Sequence, residues 1–106
     1  MPSSNLDTYR LTPAAQSDLE EIWLYTAQQW SFQQADRYTD ILEDVFERLL
    51  FMPEMARKRT EFDPPVRIHP SAEHLVIYRI EHDYLAILRV IGAGQDWQAI
   101  LRAVDQ

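Results

Sequence analysis

The main change of apolar period in this 106-residue chain falls at Pro53, and that change decides most of what the chain can fold into. From Pro13 to Met52 the apolar residues recur with the three- and four-residue spacing of a helix face. From Val66 to Ile91 they form short β-branched and aromatic runs, the mark of strands. A helical block followed by a block of strands points to an α+β fold rather than an alternating α/β sheet.

Local signals mark the element ends. Thr12-Pro13 is a helix start, with a threonine N-cap and a proline where the missing N–H costs nothing. The first helix is predicted from Pro13 to Gln29 or Trp30, with Ala15, Leu19, Ile22, Trp23, Thr26 and Trp30 on its apolar face and Asp18, Glu20, Glu21 and Gln28 opposite. Ser31-Phe32-Gln33-Gln34 has the form of a capping box, so a second helix follows at once and runs to Met52. Its stripe is Ala35, Tyr38, Leu42, Val45, Leu49 and Met52, widened by Ile41, Phe46 and Leu50, and Pro53 stops it. So short a link favours an antiparallel helical hairpin.

Tyr9-Arg10-Leu11 is a short strand ahead of the hairpin, and residues 53–65 are a loop rich in proline and charge. Three strands follow: Val66 to His69, broken by Pro70-Ser71; His74 to Ile80; and, after the turn Glu81-His82-Asp83, Tyr84 to Ile91. The third reads as buried because Leu85, Ile87, Val90 and Ile91 break strict alternation. The only two glycines, Gly92 and Gly94, end it, and Asp96 caps a short last helix reaching Val104. The expected order is β-α-α-β-β-β-α, a small antiparallel sheet with the helices on one side. Residues 1–8 read as an N-terminal tail and 9–106 as a single domain.

Composition excludes several function classes. With no cysteine there is no disulfide framework and no thiol-ligated zinc, which is compatible with a reducing cytosol. No apolar run approaches the roughly 20 residues of a membrane span, and MPSSNLDTYR lacks the basic start and apolar core of a secretory signal. The expected location is cytoplasmic. Formal net charge is −7; residues 1–52 hold nine acids against three arginines, and residues 53–106 eight acids against seven bases. General nucleic-acid affinity needs the opposite sign, so no direct sequence-specific nucleic-acid binding is expected.

Tyr9-Arg10-Leu11-Thr12-Pro13-Ala14-Ala15, Asp18-Leu19, Ile22, Tyr25-Thr26-Ala27, Trp30, Gln34-Ala35, Pro53 with Arg57, Arg67, His74-Leu75-Val76-Ile77-Tyr78-Arg79, Ile87-Leu88-Arg89-Val90-Ile91 and Asp96-Trp97 form a joint pattern from Tyr9 to Leu101. On that pattern the chain resembles the ParE branch of the RelE/ParE superfamily, the toxins of bacterial type II toxin–antitoxin modules. The resemblance implies a curved sheet packed by a helical hairpin and a ParD-like antitoxin whose C-terminal segment wraps the toxin. It also implies DNA gyrase as the target, held with its DNA cleaved; RelE members instead cut messenger RNA on the ribosome. The family's L-H-x-R-x-D element reads Ile91-Gly92-Ala93-Gly94-Gln95-Asp96 here, and its P-x-x-G-R element reads Pro53-Glu54-Met55-Ala56-Arg57.

Metal-free RNA cleavage needs a base, an acid and cations that converge on one phosphate. His69, His74 and His82 have no spacing that forces this, and the histidine and arginine of the family element are glycines, so no catalytic residue is assigned. No cofactor is implied, and no metal-ligand spacing occurs; the acids Asp40, Glu43, Asp44 and Glu47 read as a solvated helix face. The expected target-binding set is Arg57, Arg59, Arg67, His74, Arg79, Arg89 and Trp97. The arginines either share one positive face or pair with nearby acids such as Glu81 and Asp96; for His74 a structural hydrogen bond is favoured over catalysis. Trp23 and Trp30, seven apart on one helix face, suit core packing, whereas Trp97 beside the glycine turn suits an interface. The expected antitoxin groove lies along the wide apolar stripe of the second helix: Trp30, Tyr38, Leu42, Phe46, Leu49 and Leu50.

Overall fold

The computed structural model describes residues 6–104. Its elements are β1 (Thr8–Leu11), α1 (Pro13–Gln29), α2 (Phe32–Phe51), β2 (Lys58–Arg59), β3 (Val66–Ser71), β4 (His74–Ile80), β5 (Tyr84–Gly92) and α3 (Trp97–Val104). Of the expected tail, residues 1–5 lie outside the described part; Leu6 packs against the core and β1 begins at Thr8.

Both helix starts form as the caps predict. Thr12 Oγ1 accepts from the Ala15 N–H at 3.0 Å and Ser31 Oγ from the Gln34 N–H at 3.0 Å. Thr12 does a second job. Its hydroxyl donates to the Leu88 carbonyl at 2.8 Å and its N–H to the Ile87 carbonyl at 3.1 Å, so the same residue that starts α1 anchors it to β5.

The sheet order is β1-β5-β4-β3-β2. It is mixed rather than purely antiparallel, because β1 runs parallel to β5, with Tyr9 opposite Leu85. The chain leaves β1 through the whole hairpin and returns along the other edge of the sheet, and a long crossover of this kind permits a parallel pair. Two further expectations are corrected at the far edge. The basic cluster expected in a loop contributes β2, with Lys58 opposite Arg67. Pro70-Ser71 do not break β3; Pro70 pairs with Leu75 and Ser71 with His74. Proline is tolerated there because β2 spans only two residues, leaving β3 an edge strand beyond Arg67.

Alternation along β5 splits the core in two. Leu85 and Ile87 face the hairpin and join Leu42, Val45, Phe46 and Leu49 of α2 and Val76 and Tyr78 of β4. Ala86 and Leu88 face the other way and join Phe62, Val66, Ile77, Ile91 and Leu101. Leu101 belongs to α3, so the last helix covers the second face and the helices are not confined to one side. Between β4 and β5, Tyr78 pairs with Ile87 but Ile77 with Arg89, so Leu88 is an extra residue in a bulge. Ala72, at the turn between β3 and β4, has φ 55°.

Candidate functional site

A concave surface of about 790 Å³ lies between the hairpin and the C-terminal end of β5. Its walls come from α1, the first turns of α2, the β3–β4 turn and the glycine turn after β5. At its floor Asp18 of α1 meets Arg89 of β5. The guanidinium donates from Nε at 2.7 Å and from Nη2 at 2.9 Å, and the Val90 N–H adds a third bond to the carboxylate at 2.9 Å. Asp18 is only 11% exposed in its side chain and Arg89 21%. The bonds from Asp18 hold the Arg89 pKa above its ordinary value. Helical periodicity assigns Asp18 to the polar face of α1, and nothing in the local pattern marks a pair 71 residues apart.

One rim is built by Tyr38 and the β3–β4 turn. Tyr38 Oη and His74 Nδ1 are 2.6 Å apart, and the hydroxyl also receives the Glu73 N–H at 3.4 Å. We assign the hydroxyl proton to Nδ1, which leaves neutral His74 protonated on Nε2. Burial pushes His74 below the ordinary histidine value against the opposing pull of Glu73 and Asp18, and burial pushes Tyr38 up. The Glu73 carbonyl in turn accepts from the Ala93 N–H at 2.9 Å, which ties this turn to the glycine turn. Of the two readings of His74, the structure shows the hydrogen bond.

Gly92 and Gly94 line the same groove. Neither has positive φ. A Cβ on Gly94 would meet nothing within 4 Å, and one on Gly92 would come within 3.3 Å of the flexible Gln95 side chain only. The fold therefore does not require glycine at either position.

Of the two readings of the arginines, pairing with acids prevails over one shared positive face: Arg67 and Arg79 line a concave surface with Lys58 and Glu54, and the others lie apart from it. Arg89 is bound to Asp18 on the hairpin side, whereas Arg59 lies over Trp97 at 5.3 Å on the α3 side and pairs with Glu61. Arg67 donates to the Ala56 carbonyl at 2.6 Å, and the buried Tyr78 hydroxyl to the Pro53 carbonyl at 2.7 Å, so the two together pin the segment after α2 onto the sheet. Arg79 pairs with Glu81 at 3.0 Å, and its Nη1 is buried without a partner. Arg57 is exposed. Trp97 packs against Phe62 at 5.9 Å between ring centres rather than standing clear.

The expected antitoxin stripe is also divided. Leu42, Phe46 and Leu49 are fully buried and present no surface, because β4 and β5 cover them with Val76, Tyr78, Leu85 and Ile87. Leu50 and Tyr38 are half-buried. Trp30, which the sequence offers both to the core and to the antitoxin groove, is not in the core: it is 76% exposed on this concave surface, together with Tyr25 at 64%. Trp23 is half-buried at the hairpin tip, stacked on Phe32 and donating from its indole to Asp36 at 2.9 Å.

Among the described residues no cluster of three histidines or carboxylates could hold a metal ion, and no helix is long and apolar enough to cross a membrane.

Comparison with known proteins places the chain. The family of ParE toxins of the type II toxin–antitoxin system parDE matches residues 9–97. Toxin ParE1 of Mycobacterium tuberculosis is 33% identical over 89 residues, covering 83% of this chain and 91% of that protein. Toxin ParE1 of Caulobacter vibrioides is 33% identical over 93 residues, covering 88% and 96%. In structure the chain is similar to one from the chromosomal ParDE system of P. aeruginosa, with a TM-score of 0.72 over 85% of this chain and 98% of that one, at 17% identity. With its hairpin on a mixed sheet and these relatives over nearly all its length, the chain belongs to the ParE toxin family of type II toxin–antitoxin systems.

Proposed function

We propose that this chain acts in the bacterial cytoplasm by binding, that a ParD-like antitoxin neutralises it, and that DNA gyrase is its target. The observation that carries the binding reading is the state of the polar groups around the groove. Arg89 is engaged by Asp18, His74 Nδ1 by Tyr38, and positions 92 and 94 carry no side chain. RNA cleavage needs a base, an acid and cations aimed at one phosphate, whereas here the groove's guanidinium is held by a carboxylate and no side chain stands at 92 or 94. Expression without antitoxin should stop growth, induce the DNA-damage response and cause filamentation, and purified chain should inhibit gyrase supercoiling. Messenger cleavage in a translating extract with intact supercoiling would replace this reading with a RelE-like endoribonuclease.

Gly92 and Gly94 favour one second reading, a copy that binds antitoxin and tunes its repression without being toxic. Both positions accept a side chain, so Gly92→His with Gly94→Arg is a fair test. Toxicity that appears only in the double variant supports the second reading, and toxicity of the unaltered chain excludes it.

A further inference from the structure

We infer that the groove between the hairpin and the glycine turn seats a peptide segment of a protein partner, with basic side chains beside an apolar anchor. The inference rests on the antitoxin reading for the identity of that partner, but its chemistry comes from the groove itself. Three carboxylates, Asp18, Glu21 and Glu73, line the groove against one guanidinium, Arg89. Arg89 gives two hydrogen bonds to Asp18, which leaves Glu21 and Glu73 in excess, and both are exposed. A phosphate backbone would meet negative potential there, whereas lysine or arginine would be drawn in.

The groove also carries apolar surface. Tyr25 and Trp30 are 64% and 76% exposed, large for aromatic side chains of a folded domain, and stand beside Glu21 on the last turns of α1 and its cap. Aromatic groups next to uncompensated charge suit a segment that places one apolar side chain on the rings and a cation on each side. Across the groove the space beside Gly94 is open, so a partner backbone can approach the turn closely.

The test uses the full chain, isotope-labelled for NMR. It is titrated with a short amphipathic leucine–lysine peptide, its leucine–glutamate counterpart and a short DNA duplex. The leucine–lysine peptide should move the Trp30 indole signal and the amides of Glu21, Tyr25 and Glu73. Glu21→Gln with Glu73→Gln should weaken it about fivefold to tenfold, whereas Asp40→Asn with Glu47→Gln, on α2 outside the groove, should leave it within about twofold. Shifts elsewhere, binding that survives the groove variant, or DNA or the acidic peptide in the groove would overturn the inference. A parallel pull-down with a ParD-like antitoxin separates the two readings. An antitoxin that holds wild type and groove variant equally overturns the groove assignment alone. No antitoxin complex, with the lysine peptide still seated in the groove, overturns the antitoxin reading alone.

Discussion

Replacing Asp18 by alanine should unfold the chain at markedly lower temperature. The carboxylate accepts three hydrogen bonds, at 2.7, 2.9 and 2.9 Å, two from Arg89 and one from the Val90 N–H. Its removal strands a guanidinium that is 21% exposed and a backbone donor on a buried strand residue. Breaking a fully buried pair costs about 3–5 kcal/mol. Here residual solvent access discounts that to about 2–4 kcal/mol. For a domain of this size the loss corresponds to a fall in Tm of roughly 10–25 °C. Arg89→Met should cost less, about 1–3 kcal/mol, since Asp18 keeps the Val90 bond and the methionine retains the packing of the stem. Urea unfolding of both single variants and the double variant, followed by circular dichroism, gives the coupling. We expect about 1.5–3 kcal/mol, against about 0.2–1 kcal/mol for an exposed pair. A coupling below about 0.5 kcal/mol would refute the view that this pair fastens α1 to β5.

Tyr78→Phe removes the buried donor to the Pro53 carbonyl and should lower stability by about 1–2 kcal/mol, read as a lower urea midpoint at unchanged m. Ala72→Gly relieves a left-handed alanine at φ 55° and should raise stability by about 1 kcal/mol, a gain of several degrees in Tm. Acid should also destabilise the chain. Burial holds His69 and His74 below 6.5 in the folded state, so as pH falls through that value the unfolded chain takes up protons first. Stability present at neutral pH should therefore decline as pH drops below about 6.5, and His74→Gln should flatten part of the decline. A urea midpoint that stays constant or rises over this range would contradict the burial of both rings.

What could be read from the chain was what local rules control. The caps at Thr12 and Ser31, the stop at Pro53 and the spans of α1, α2 and β4 all follow from neighbours within four residues. The parallel pairing of β1 with β5 was not legible, because Tyr9-Arg10-Leu11 looks the same in either direction. The placement of α3 on the second face depends on Ala86 and Leu88 facing away from the hairpin, and a continuous apolar run such as β5 conceals which of its residues do so. The burial of Leu42, Phe46 and Leu49 beneath the sheet, rather than beneath a partner, is hidden for a similar reason. A wide stripe announces burial, but not whether a sheet or a partner supplies the cover. The Asp18–Arg89 pair could not be read at all, since its members belong to elements whose contact is set only by the tertiary fold.

The two glycines are where fold and function separate most clearly. Glycine in place of alanine costs about 0.5–1 kcal/mol in backbone entropy wherever its conformational freedom goes unused. Neither Gly92 nor Gly94 uses positive φ, and neither has a neighbour that a Cβ would strike hard. The cost is therefore not offset within the turn. What the glycines do supply is an open wall opposite Tyr25 and Trp30, in a groove whose exposed charges are Glu21 and Glu73. A histidine and an arginine on that wall would fill the space and bring positive charge toward both acids. The added arginine would cut the groove's excess of two carboxylates to one and weaken its hold on a basic segment. Two positions that the fold leaves unconstrained thus set how open and how acidic the groove is.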